Sequence, residues 1–276
     1  MSLAFESAQA AIKKSGVKNE DIDCIIVATA SATQPIPSMA SIVSNKLGIA
    51  APAFDLNAAC SGFVYALNVA AGFFEMKLFK NVLLVGVDTL SAVVDKNDRS
   101  TAILFGDGAG AVLLEPTTED LGVKDFILKA DGAGRNYLCM HAGGSVLPPS
   151  HETVDARKHY VYQEGQAVFK FAVKGMADVS AEILEKNNLK ADDIKWLVPH
   201  QANKRIVDAT ADRMGIGAEK VMMNIERYGN TTAGTIPLLL WDYEKQLKKG
   251  DNLIISAFGG GFTWGSVWLK WAYDTK

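Results

Sequence analysis

Three cysteines and four histidines are all the thiol and imidazole that this 276-residue chain contains. Cys24, Cys60 and Cys139 are odd in number and stand at no metal-ligand spacing, and Cys24 falls inside an apolar strand pattern. That usage argues against a disulfide framework and fits a reduced, cytoplasmic setting. His141, His151 and His159 have no acidic or cysteine partner at ligand spacing, so no metal is expected. No apolar run is long enough to span a bilayer. A signal-peptide pattern is also absent, because Ala4 to Lys14 reads as an amphipathic helix carrying Glu6, Lys13 and Lys14. Charge of one sign is lacking too: 28 Lys and Arg face 31 Asp and Glu, so nothing asks for nucleic acid or a membrane surface. What remains, 49% hydrophobic residues with 24 Gly and only 8 Pro, suits one large domain or two intimately packed ones.

Periodicity predicts helices at Leu3 to Lys14, Met39 to Leu47, Phe63 to Leu78, Gln166 to Lys186, Asn203 to Met214 and Ala233 to Leu247. Between them lie strand patterns at Ile22 to Thr29, Ala53 to Leu56, Asn81 to Asp88, Ala109 to Glu115, Val123 to Ala130, Lys195 to Pro199, Val221 to Asn224, Asn252 to Phe258 and Thr263 to Trp271. Ala133 to Glu164, rich in Gly, Pro and His, reads as a long excursion of the functional kind. Strands alternating with helices argue for an α/β fold with mostly parallel sheets.

The order repeats. Val17-Lys18-Asn19-Glu20-Asp21-Ile22 returns as Leu189-Lys190-Ala191-Asp192-Asp193-Ile194, dividing the chain into halves of residues 1–115 and 116–276. The same shift lands Cys60 near Thr232, beside Asn230, where Pro237 fixes the start of a second apolar helix. Two such helices packed between two sheets bring Cys60 and Asn230 toward one cavity. His200 ends a strand, where α/β sheets present their ligands. Cys60 itself sits at a strand-to-helix turn, and the helix N-terminus favours thiolate over thiol there. On this stretch alone, a nucleophile and a small buried hydrophobe fit equally well. Phe105-Gly106-Asp107-Gly108-Ala109-Gly110-Ala111 leads into a strand rather than a helix, so it reads as tight packing and not as a nucleotide loop.

Four blocks then stand together: Asn57-Ala58-Ala59-Cys60-Ser61-Gly62-Phe63, Pro199-His200-Gln201-Ala202-Asn203, Tyr228-Gly229-Asn230-Thr231-Thr232 and Phe258-Gly259-Gly260-Gly261-Phe262-Thr263-Trp264-Gly265. In order and spacing they resemble the signatures of β-ketoacyl-(acyl carrier protein) synthase III. The resemblance implies a thiolase-like fold, with duplicated βαβαβ halves and two buried central helices between two mixed sheets. It implies that Cys60 takes a short acyl group from acyl-coenzyme A, with the backbone N–H groups of Cys60 and Gly260 as the oxyanion hole. His200 and Asn230 then serve the decarboxylating condensation with malonyl-(acyl carrier protein) that initiates fatty acid synthesis.

The coenzyme A contacts so implied are Arg99, Phe105, Gly165, Phe169 and Ile206. Lys204 and Arg205 engage the acidic carrier, and Ile36 and Leu90 shape the acyl pocket, Ile36 by reaching into the partner subunit of a homodimer. No cofactor is implied, acyl-CoA being a substrate. For Lys204 and Arg205 the residues alone favour a solvated helix face shared with Asp208 and Asp212. Arg99 also reads as a surface charge in a turn, and Ile36 as a loop residue packed locally. Related condensing enzymes of polyketide or secondary metabolism share the Cys, His and Asn set. A catalytically silent carrier-binding scaffold and a cysteine hydrolase are the readings from other classes.

One element is expected and not found. The second half of the repeat opens on a strand, Val123 to Ala130, whereas the first opens directly on the helix at Leu3. The resemblance implies some tens of preceding residues, including that strand and a Trp and an Arg that grip coenzyme A. With the strand expected in the middle of its sheet, two rows of backbone groups lose their partners, at on the order of 1 to 3 kcal/mol each. Met1-Ser2-Leu3 is then expected not to be the natural start, and the chain alone is expected either to be poorly stable and weakly active or to leave a groove where the strand belongs, filled by a separate fragment or a rearranged neighbour.

Overall fold

Cys24-Ile25-Ile26-Val27-Ala28 is apolar at every position, a pattern suited to a strand covered on both faces. The computed structural model describes residues 2–275 and gives that run two helical layers. The first half contains α1 (Ser2–Ser15), β1 (Cys24–Ala28), α2 (Met39–Leu47), β2 (Ala53–Leu56), α3 (Gly62–Glu75), β3 (Val82–Thr89), α4 (Arg99–Ala102) and β4 (Asp107–Leu114). Next come β5 (Gly122–Ala130), β6 (Leu138–Met140), α5 (His151–Asp155), β7 (Val161–Gln163) and α6 (Gly165–Lys186). The chain closes with β8 (Trp196–Pro199), α7 (Lys204–Met214), α8 (Ile225–Tyr228), α9 (Thr235–Tyr243), β9 (Asn252–Gly259) and β10 (Thr263–Lys270).

Two four-stranded sheets result, in the orders β2-β1-β3-β4 and β5-β10-β9-β8. Both are mixed: β1 runs parallel to β2 and β3 with β4 antiparallel, and β8 runs parallel to β9 with β10 antiparallel to its neighbours. The alternation of side chains along a strand then sorts the core. Ile25 and Val27 pack with α1 and α2 on one face, while Cys24, Ile26 and Ala28 join α3, α9 and the inner face of the second sheet. On that second sheet Trp196, Val198, Leu253 and Ile255 point inward to the same cluster, whereas Leu197 and Ile254 face outward with α6 and α7. The layers run helix, sheet, central helices, sheet, helix, the thiolase-like arrangement.

Local signals explain the element ends. α2 starts where Ser38 accepts a hydrogen bond from Ser41 N (3.1 Å) and the Asp55 carboxylate accepts from Met39 N and Ala40 N (2.7 Å each). It stops at Gly48, whose φ of 68° is left-handed.

Three expectations need correction. Val221 to Asn224 is no strand: only the bridge Leu197–Val221 forms, because the N–H groups of Met223, Asn224 and Ile225 bond the side chains of Tyr243 and Gln201. The helix expected over Ala233 to Leu247 is α9 flanked by 3-10 turns at Thr232–Gly234 and Glu244–Gln246. Finally, β5 lies at the edge of its sheet, paired with β10 alone, and not in the middle. The corresponding side of β4 has no strand partner among the described residues, so one row of backbone groups is concerned rather than two. The excursion is more ordered than its composition suggests, since β6 and β7 pair antiparallel within it and a capping box at Ser150 and Thr153 starts α5.

Candidate active site

The turn that carries Cys60 is built twice. Asn57 Oδ1 accepts from Ala59 N (3.1 Å), Ala59 takes a left-handed φ of 46°, and a 3-10 turn leads into α3. Asn230 Oδ1 likewise accepts from Thr232 N (2.9 Å), Thr232 has φ 48°, and a 3-10 turn leads into α9. The duplication is thus visible in single torsions, and in both turns a non-glycine residue is held in a sparsely populated region. Because its oxygen is engaged in its own turn, Asn230 keeps its amide N–H groups free to donate.

Each half buttresses the other's turn. Gly259, the last residue of β9, lies so close that a Cβ there would stand 2.7 Å from Cys60 N. Ser61 Oγ donates to Thr263 O (2.8 Å) and Thr263 Oγ1 to Ala58 O (2.9 Å). From the other side, Asn230 N donates to Leu104 O (3.0 Å) and Gly106 N to Asn230 O (2.9 Å). A Cβ on Gly106 would meet Tyr228 O at 2.3 Å, so this glycine segment is close packing against the site, as its lead into a strand suggested.

His200 follows β8, its N–H donating to Ser256 O (2.8 Å). Buried Gln201 fixes the loop, donating to Pro199 O and Met222 O and accepting from Asn224 N and Ile225 N. Neither ring nitrogen of His200 has a hydrogen-bond partner among the described residues. Cys60, His200 and Asn230 line one cleft of about 200 Å³ together with Phe105, Gly165, Phe169 and Ile206. A wider recess of about 450 Å³ between α1 and α2 is lined by Gln9, Lys13, Asn19 and Lys46 and has no thiol, hydroxyl or imidazole among its lining side chains.

Electrostatics corrects the thiolate expectation. Burial first, and the negative charge of Asp88 second, push the Cys60 thiol up to about 12; the N–H groups of Cys60 and Gly260 act on the sulfur in the opposite sense and are outweighed. Burial pushes His200 down to about 4. The resting pair is therefore neutral thiol and neutral imidazole, with no ion pair. Alkylation of Cys60 by iodoacetamide, followed on its own peptide, is expected to quicken about tenfold per pH unit from pH 7 to 10 without a plateau. A plateau beginning near neutral pH contradicts this.

Other residues expected at the site are distributed differently. Arg99 does not reach the cleft: it is the exposed first residue of α4, which Asp98 caps on a surface loop. Leu90 is buried and Ile36 is 85% exposed, and neither lines the cleft. Lys204 pairs with Asp208 one turn along α7 (2.7 Å). Arg205 lies over the Phe169 ring, 4.6 Å from its centroid, at the cleft's edge. Sequence reasoning missed Leu104, Leu138 and Phe258 as lining residues, whereas Gln163, which the resemblance places among the coenzyme A contacts although its residue type departs from the family's, does line the cleft. Asn203 also lines the cleft and caps α7 by accepting from Arg205 N (2.9 Å), a role its position before a helix signals. Among the described residues no group of three or more His, Cys, Asp or Glu is arranged to hold a metal, and no helix is long and apolar enough to cross a membrane.

Comparison with known proteins gives this geometry a context. Residues 54–132 match the family 3-oxoacyl-[acyl-carrier-protein (ACP)] synthase III, and residues 184–271 match the C-terminal region of the same enzyme. The chain is 54% identical over 275 residues to beta-ketoacyl-[acyl-carrier-protein] synthase III 2 of Bacteroides thetaiotaomicron, an alignment covering 99% of this chain and 82% of that protein. It is 52% identical over 273 residues to beta-ketoacyl-[acyl-carrier-protein] synthase III of Porphyromonas gingivalis strain W83, covering 99% and 82%. The crystal structure of 3-oxoacyl-[acyl-carrier-protein] synthase III from Aquifex aeolicus superposes with a TM-score of 0.89 at 38% identity, covering 97% of this chain and 83% of that one.

Proposed function

Since the chain belongs to the β-ketoacyl-(acyl carrier protein) synthase III family, we propose a division of labour within its cleft for the reaction it performs. It is an acyltransferase that condenses an acyl-CoA with malonyl-(acyl carrier protein), initiating fatty acid synthesis. The observation that carries the division is the convergence of Cys60, His200 and Asn230, drawn from both halves of the repeat, on one small cleft.

In the first half-reaction Cys60 Sγ bonds to the acyl carbonyl carbon as the bond to coenzyme A sulfur breaks. The thiol proton leaves on the released coenzyme A. A thiol ester suits this role because it both forms and breaks readily. The backbone N–H groups of Cys60 and Gly260 receive the oxyanion, each worth about 3 kcal/mol in the transition state. In the second half-reaction malonyl-carrier loses carbon dioxide. The enolate oxygen accepts from a neutral His200 ring N–H and from the Asn230 amide, whose oxygen is turned away. The enolate carbon then attacks acyl-Cys60, and collapse of the tetrahedral adduct releases the β-ketoacyl-carrier and the Cys60 sulfur, which regains a proton. A neutral imidazole is the right state for this, since charging it would cost the burial that lowers its pKa.

Coenzyme A enters past Phe105, Gly165, Phe169 and Ile206, and the carrier docks beside Arg205. No separate cofactor takes part, the protein works in the cytoplasm, and in a homodimer Ile36 closes the partner's acyl pocket; its exposure supports this last reading. Arg205→Glu is expected to weaken malonyl-carrier use about tenfold or more while sparing priming by acyl-CoA, with the difference shrinking in salt. Equal losses with both substrates refute a carrier role. The primer is found by assaying β-ketoacyl-carrier formation with a panel of acyl-CoAs; product from none of them refutes the functional reading.

A further inference from the structure

Asp88, the last residue but one of β3, is completely buried with no cation beside it among the described residues. All its partners donate. Oδ1 accepts from Thr29 Oγ1 (3.1 Å), Ala30 N (2.8 Å), Ser31 N (2.9 Å) and Ser31 Oγ (2.7 Å), all in the segment that follows β1. Oδ2 accepts from Thr232 Oγ1 and from Ala233 N (3.2 Å), in the turn that follows Asn230. One oxygen therefore holds the first half of the molecule and the other holds the second. A buried carboxylate is costly to keep without a cation, and this one is kept at the point where the halves meet.

The turn it grips is the one that aims Asn230. Thr232 N is the donor that occupies Asn230 Oδ1, and Thr232 adopts a left-handed φ of 48°, unfavourable for a β-branched residue. Something outside the turn must hold that conformation. The Asp88 carboxylate supplies two of the hydrogen bonds that do so, to the side chain of Thr232 and to the backbone of the next residue. By contrast, no carboxylate among the described residues hydrogen-bonds the equivalent turn at Ala59; it is held by Thr263 and by close packing of Gly259.

We infer that Asp88 is a positioning residue: through Thr232 and Ala233 it fixes the turn that orients the Asn230 amide toward the second substrate. The inference rests on the role given to Asn230 above. It assigns Asp88 to the second half-reaction, with little part in the first beyond the charge that it places near Cys60.

Thr232→Val tests this with the least disturbance, since it removes only the hydroxyl facing Oδ2 and leaves all four bonds on Oδ1. Asp88→Asn is the companion, and Thr232→Ser the conservative rescue. Hydrogen exchange of the 230–235 amides reads the clasp without any substrate, and the two half-reactions read its use: Cys60 acylation by acyl-CoA, and decarboxylation of malonyl-carrier. In Thr232→Val the 230–235 amides are expected to exchange faster than in the wild type, and decarboxylation to fall about 10- to 100-fold with acylation within about twofold. Thr232→Ser should restore both. Unchanged exchange overturns the inference, as do equal losses in the two half-reactions or an unaltered decarboxylation rate. A wild-type protein that acylates but does not decarboxylate malonyl-carrier refutes the role of Asn230 instead, and the exchange result then decides the clasp by itself. If Asp88→Asn fails to fold, the two Thr232 variants carry the test.

Discussion

Cys60→Ala is expected to abolish acyl transfer from acyl-CoA, by at least about 10³-fold, while decarboxylation of malonyl-carrier persists at a measurable rate. The two effects separate because the sulfur is needed only to form and hold the acyl group, whereas His200 and Asn230 act on the other substrate. Cys60 is 6% exposed in a packed turn, and the change removes one atom, so the fold should survive with a modest loss of stability. Radiolabelled acyl-CoA gives the readout. Label that still becomes covalently attached in the variant contradicts the assignment. Loss of decarboxylation in step with acylation contradicts the separation of roles.

His200→Ala and Asn230→Ala are expected to give the mirror image. Each removes one donor to the enolate oxygen, and a donor of this kind is worth about 3 kcal/mol, or roughly 10² to 10³ in rate. Acylation should change far less. Asn230→Asp sharpens the test, because a carboxylate oxygen still accepts from Thr232 N (2.9 Å in the parent) while the donating amide group is gone. Single-turnover acylation, measured beside malonyl-carrier decarboxylation, separates the two steps. If acylation slows as much as decarboxylation, His200 and Asn230 serve the first substrate as well, and the division is wrong.

Much of the fold was legible because its signals are local. Met39 to Leu47 has a serine cap before it and a left-handed glycine after it, and its bounds match the observed helix. The apolar runs of β1 and β3 announce strands covered on both faces. Where expectation failed, a distant side chain had intervened. Nothing within Val221 to Asn224 says that Gln201 and Tyr243 will take its N–H groups and deny it a ladder. The edge position of β5 is a matter of sheet order, which local pattern does not encode.

The candidate site divides in the same way. Cys60, His200 and Asn230 stand in blocks whose spacing and residue types point to one cavity, and they share a cleft. The state of the thiol was not legible. A helix N-terminus argues for thiolate, but the result depends on burial and on Asp88, a residue that reads in the sequence as the ordinary end of a strand. Leu138 reaches the cleft from an excursion that shows no periodicity, so no pattern marked it. Arg99 lies on the surface, outside the cleft, a place that suits the outer adenine or phosphate end of coenzyme A rather than its thioester.

One sulfur, that of Cys60, is held to carry the acyl group between the two substrates. The mass of the Cys60 peptide tests this, taken after the wild-type protein is mixed with an acyl-CoA and again after a chase with malonyl-carrier. This peptide alone is expected to gain the mass of the acyl group, and the gain to disappear on the chase as β-ketoacyl-carrier and carbon dioxide form in equal amounts. Acyl mass on another residue, or β-ketoacyl-carrier formed with no acyl-Cys60 at any time, would contradict it.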